Sequence, residues 1–197
     1  AMLARILPRL ARFAHRLGRR SEARMLLEEA VALPIPDCAP ADRALAMNYF
    51  GLVTQVTGDY DDAVALFEQS RALYLAIGDQ AGIARATNNL AIITFYSGAY
   101  EPAEKLLQES LGIRRGLEDA KGIADCLNNL GILYHELHRY VEEAQLLKEA
   151  LGMYRALGDG RGIATTLHNL GGVHLALQQY PQARDYLLEA LSHRAIS

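Results

Sequence analysis

The residues His135-Glu136-Leu137-His138 set two imidazoles and a carboxylate within one helical turn. These are the types that ligate zinc or move protons. A helical zinc site of the HExxH kind needs its histidines four apart; here they are three apart, and no third ligand lies at a matching distance. No metal site and no cofactor are expected. Gly158–Gly162, GDGRG, has glycines like those of a phosphate loop but lacks the Lys-Ser/Thr ending, and it follows a helix rather than a strand. It reads as a helix stop and a helix start. Cys38 and Cys126 are the only cysteines, 88 positions apart, and form no CxxC. No Ser/His/Asp or Cys/His set stands out for nucleophilic chemistry. The chain is expected not to be an enzyme.

The other candidates are amides. Asn88-Asn89 sits in the apolar run ATNNLAIITFYSGAY, and Asn128-Asn129 occupies the same place in CLNNLGILYHELHRY, 40 residues later. An amide both donates and accepts, so a ladder of them suits capture of an extended peptide backbone. The bland reading is that the amides bond neighbouring helices and fix their stacking. Adjacent helical residues point about 100° apart, so the two members of each pair face different surroundings.

The interval of 40 runs through the chain. It relates Tyr60, Tyr100, Tyr140 and Tyr180; Asn89, Asn129 and Asn169; and Gly51, Ala91, Gly131 and Gly171. Ala63, Ala103 and Ala183 follow it too, but Glu143 replaces the alanine in the fourth unit. Either that helix rotates or the glutamate escapes to an edge, and a local irregularity is expected there. Each unit reads as two helices. In the third, Gly78 stops one helix and Asp79 caps the next, which runs from about Gln80 to Ser97. A second follows from about Glu101, with Pro102 near its start. Leu117-Glu118-Asp119 replaces the glycine of the stop by glutamate, a weaker signal. The small residues at Gly51 and Ala63 and their equivalents let paired helices approach closely, and Gly82, Gly122 and Gly162 imply close approach of the preceding helix. The tyrosine column is expected to wedge near the turn with its hydroxyls at the solvent. The result is an all-α chain of five helix pairs, in units 2–39, 40–79, 80–119, 120–159 and 160–197.

The pattern NLG…Y…G.Y..A…L..A resembles the tetratricopeptide repeat. It is carried by Leu130, Gly131, Tyr134, Tyr140, Leu147 and Ala150, and in the third unit by Leu90, Ala91, Gly98, Tyr100, Ala103 and Leu107. The usual unit has about 34 residues, and the longer form is similar to the repeats of kinesin light chain, Pins-type adaptors and STAND-type ATPase sensors. The resemblance implies a right-handed α-solenoid, a superhelix of five antiparallel helix pairs in a single array, in which the first helix of each pair lines a concave groove. It places Asn48, Tyr49, Arg85, Asn88 and Tyr96 toward that groove, with Asn89 at its edge. Further along it places Asp125, Asn128, Asn129, His135, His168 and Asn169 there. It implies a scaffold that binds a peptide or protein segment, as the sensor or regulatory part of a larger signalling protein. The alternative is a spacer or self-association module, a homo-oligomer formed through terminal helices such as the one bearing Leu187, Leu188 and Leu191.

Half the chain is hydrophobic, 22% is charged and the net charge is −3. That profile is globular and carries no overall attraction to nucleic acid. The first 24 residues are the exception, with seven arginines and one acid. Arg5, Arg9, Arg12 and Arg16 form one stripe, opposite Leu3, Leu7 and Ala14. The stripe reads as a solvated face, a face docking on a preceding segment, or a patch for an acidic partner. Nucleic acid or a membrane surface is the least favoured reading, and no aromatic interleaving supports nucleic-acid stacking. Pro8 either marks the start of this helix or kinks it. No apolar run reaches about 18 residues, the length a membrane span needs. Ala1 ahead of Met2 reads as an expression remnant, no secretory signal is evident, and the cysteine usage fits a cytoplasmic location.

Overall fold

The computed structural model describes residues 6–9, 11, 14, 18–33 and 39–194. All regular structure among them is helical. Helix α1 includes residues 6–9, 11 and 14, with Pro8 buried inside it. It is followed by α2 (Arg20–Ala32), α3 (Pro40–Thr57), α4 (Tyr60–Ile77), α5 (Gln80–Tyr96) and α6 (Tyr100–Gly116). Then come α7 (Ala120–Glu136), α8 (Tyr140–Leu157), α9 (Gly160–Ala176) and α10 (Tyr180–Arg194). The chain divides into two compact units, Ala1–Ala99 and Tyr100–Ser197.

In the first unit each helix packs on the next from α2 to α5, and α3 also touches α5. Ala11 and Ala14 of α1 join Ala23, Leu27 and Val53 in one core cluster, while Leu7 joins Ala30 and Ala46 in another. In the second unit α6 to α10 pack in the same succession, and α7 also touches α9. Consecutive helices run antiparallel: the Ser70 hydroxyl of α4 donates to the Ala44 carbonyl of α3 at 2.7 Å, and Phe67 lies over Gly51.

The 40-residue columns have the packing reasons their residue types suggest. A Cβ added at Gly51 would stand 2.7 Å from the Phe67 ring, at Gly131 2.8 Å from Leu147, and at Gly171 2.6 Å from Leu187. Gly82 and Gly162 sit against the rings of Tyr74 and Tyr154 at the close of the preceding helix. These two glycines and Gly122 donate their N–H groups to the capping carboxylates. Asp79 accepts from Gly82 at 2.9 Å, Asp119 from Gly122 at 3.0 Å and Asp159 from Gly162 at 2.9 Å. The tyrosine column opens the second helices; Tyr60 and Tyr180 are exposed, while Tyr100 and Tyr140 are half-buried.

From α3 onward each turn between helices contains a left-handed residue. Glycine supplies it at Gly58, Gly78, Gly98 and Gly158, but Glu118 (φ 54°), His138 (φ 56°) and Gln178 (φ 59°) adopt the same conformation. The stop at Glu118 is therefore as complete as the others. Its N–H reaches the Arg115 carbonyl at 3.1 Å, as that of Gly78 reaches Leu75 at 3.2 Å. A side chain pays in steric strain for that region. Glu118→Gly is expected to stabilise the chain by roughly 1 kcal/mol, read as a higher urea midpoint with an unchanged slope.

The irregularity expected at Glu143 takes a different form. Helix α8 begins at Tyr140 in register with its counterparts, and the glutamate does not escape to an edge: it is 2% exposed, where Ala63, Ala103 and Ala183 are 0% exposed. A partner on α7 holds it inside.

Candidate functional site: the first helices

All the groove candidates lie on α3, α5, α7 and α9, the first helices of their pairs. Two amide bonds join such helices within a unit. In the first, Asn89 Nδ2 donates to Asn48 Oδ1 at 3.0 Å. In the second, Asn169 Nδ2 donates to Asn128 Oδ1 at 3.2 Å, and the buried Thr166 hydroxyl donates to the same oxygen at 3.3 Å. The amide at the first of the two positions in one repeat thus accepts from the amide at the second position of the next, 41 residues on. Asn48, Asn88, Asn89 and Asn128 are all buried; Asn129 and Asn169 are half-buried. Among the side-chain atoms of the described residues, Asn48 Nδ2 is one of three buried ones with no partner.

The remaining candidates are more open. Tyr49 is half-buried; Arg85 is too and lies beside the Tyr74 hydroxyl. Tyr96 is 62% exposed and meets Phe95 edge-on. Asp125 accepts from the Tyr154 hydroxyl at 2.7 Å and pairs with Lys121 at 2.8 Å. Lys121 also reaches Asp159 at 2.6 Å, which holds that carboxyl below the usual range. Of the basic stripe, Arg9 is exposed on α1, while Arg5, Arg12 and Arg16 lie outside the described residues. Downstream, Arg19 pairs with Glu22 and Arg24 with Glu28.

The structure gathers His135, His168 and Asn169 around one cleft of about 220 Å³ in the second unit. Ile132, His135 and Glu136 line it from α7, His168, Asn169 and Gly172 from α9, and Glu143 from α8. His135 Nδ1 stands 3.0 and 3.2 Å from the two Glu143 oxygens, and its ring meets Tyr140 edge-on. The Glu143 side chain is 3% exposed and that of His135 42%. Burial pushes the Glu143 carboxyl above the usual range, and the His135 contact draws it back. Glu143 as a lining residue was missed from sequence. Its signal was present, as the one acid in a column of alanines. The geometry of α7 against α8 was needed to show that this column reaches the cleft lined by α7 and α9.

The raised carboxyl has a consequence for pH. A folded-state pKa above the unfolded one means that the fold holds the proton more tightly, so ionising Glu143 costs stability as pH rises through the folded value. Comparing the protein with Glu143→Ala, the variant's relative stability is expected to grow from pH 4 to pH 7. A difference that stays level, or shrinks, across paired denaturation curves would contradict this.

Among the described residues no three of His, Cys, Asp or Glu form a group able to hold a metal, and no helix is long and apolar enough to cross a membrane. Cys126 is buried against Ser110 and its thiol is raised by burial.

Sequence profiles of the tetratricopeptide repeat match residues 42–116, and again 123–157 and 163–194. No curated protein matches the chain in sequence. Among solved structures, BtubC (BKLC) from P. vanneervenii is 24% identical, with a TM-score of 0.79 over 95% of this chain and 78% of that one. A Signal Transduction ATPase with Numerous Domains from Pyrococcus horikoshii, bearing a tetratricopeptide repeat sensor, is 18% identical with a TM-score of 0.80; the match covers 98% of this chain and 31% of that one. The Rap conjugation gene regulator of the plasmid pLS20, in complex with the Phr* peptide, is 14% identical with a TM-score of 0.81, over 92% of this chain and 50% of that one. At such identities the likeness is one of fold.

Proposed function

Because the chain belongs to the tetratricopeptide repeat family, whose repeats build protein-interaction scaffolds, we propose that its first helices capture an extended peptide segment as the sensing part of a larger cytoplasmic signalling protein. The observation that carries this reading is the cleft between α7 and α9, which gathers exposed polar side chains of both helices on one face. His168 and Glu136 are exposed there, and His135 and Asn169 are half-buried, so all four are within a ligand's reach. The complex of the pLS20 Rap regulator with a peptide supports the same use of the fold.

The test is a phage-displayed peptide library selected on the protein, followed by hydrogen exchange of the complex. Protection confined to α7 and α9 is the expected result. Protection of the second helices alone, or no selection at all, would defeat it. A second reading rests on Leu188 and Leu191 of α10, 59% and 61% exposed, which could associate with other copies. Light scattering that reports a monomer at every concentration would dismiss it.

A further inference from the structure

The cleft in the second unit is built differently from the rest of the array. Where the other units pack Ala63, Ala103 and Ala183, this one holds a carboxylate in the interior. A buried carboxylate costs several kcal/mol unless it is compensated, and methyl groups already pack well in this column. The chain therefore carries Glu143 against the packing preference of its own repeat.

The lining contains Glu143 and Glu136 but no lysine or arginine. Its polar side chains can also accept hydrogen bonds. When Glu143 is ionised and His135 is neutral, Nδ1 carries the proton and donates inward, so Nε2 remains as an acceptor. Asn169 gives one amide proton to Asn128 and keeps a second, and its carbonyl oxygen can accept. The groups facing a ligand are thus the exposed Glu136 carboxylate, the imidazoles of His135 and His168 and the Asn169 amide, with the Glu143 carboxylate buried behind His135. The cleft, about 220 Å³, is smaller than the roughly 300 Å³ at which sites for whole small molecules begin. Ile132 and Gly172 give it an apolar stretch of wall.

From this we infer that the cleft is a specificity pocket for one cationic side chain, lysine or arginine, of a peptide lying along the first helices. The inference rests on the peptide-capture reading and adds the residue class that the peptide must carry. The aliphatic stem would lie against Ile132, and the ammonium or guanidinium donors would meet acceptors in a lining without lysine or arginine.

The experiment uses biotinylated short-peptide pools, randomised except for a central arginine, lysine, citrulline or glutamate, with retention measured on the full chain. Arginine and lysine pools are expected to be retained about tenfold above the citrulline pool, a charge-assisted contact's worth of discrimination. Glu143→Ala restores the residue that the other repeats use, so it should fold, and it should remove most of that preference. Glu136→Gln, an exposed change, should reduce the preference severalfold without moving the melting temperature. Equal retention of arginine and citrulline pools, or an unchanged preference in both variants, overturns the inference. If all pools are retained alike, peptide capture stands and the cationic pocket falls. If none is retained, both fall.

Discussion

Gly162→Ala is expected to destabilise the protein by roughly 2–3 kcal/mol, the cost of overpacking a site that cannot give way. The new methyl would stand 2.3 Å from Tyr154 Cδ1 and 2.6 Å from its Cγ, the root of the ring rather than its tip. The ring cannot swing aside cheaply. Tyr154 is 4% exposed, and its hydroxyl is tied to Asp125 at 2.7 Å. Gly82→Ala should behave alike in the first unit, against Tyr74 Cδ1 at 2.2 Å. The control is Gly152→Ala, in the interior of α8 with nothing within 4 Å of the added atom. It should stabilise by roughly 0.5–1 kcal/mol through helix propensity alone. Urea denaturation of the three variants checks this. Similar midpoints for Gly162→Ala and Gly152→Ala would mean that helix packing at the Tyr column is looser than the structure shows.

Asn128→Ala is expected to cost about 2 kcal/mol, because it strands two donors at once. The Thr166 hydroxyl is 0% exposed and, with the Asn128 oxygen gone, loses the acceptor it has across the α7–α9 seam. Asn169 loses its acceptor as well. His168 occupies the same column one repeat further on and is exposed, so His168→Ala should change stability by no more than about 0.5 kcal/mol. If Asn128→Ala melts like the parent protein but loses peptide binding, the amide serves the ligand rather than the stack. The opposite result leaves the seam as its role.

Much of the fold was legible because the repeat states it several times. Asp79, Asp119 and Asp159 cap their helices where an aspartate after a stop signal belongs, and Gly51, Gly131 and Gly171 sit where a second helix leaves no room for a side chain. The stop at Glu118 was harder to see, since a glutamate in the left-handed region contradicts its own local preference. There the repeat's packing overrides the residue. The candidate site was legible only as a face. Helical spacing puts Asn128, His135 and His168 on first helices, but it does not say which amides turn into the seam and which side chains stay open.

The sequence by itself determined the helix pairs, their 40-residue register and the family, because those depend on caps, small residues and apolar spacing that recur along the chain. Only the tertiary structure decided where the departures from the repeat lead. Asn128 meets Thr166 and Asn169 38 and 41 residues away. Glu143 meets His135 on an adjacent antiparallel helix, at the wall of a cleft completed by α9. Periodicity describes what each repeat shares. The burial of a single carboxylate, and the acceptors left around it, depend on how three helices come together in one place.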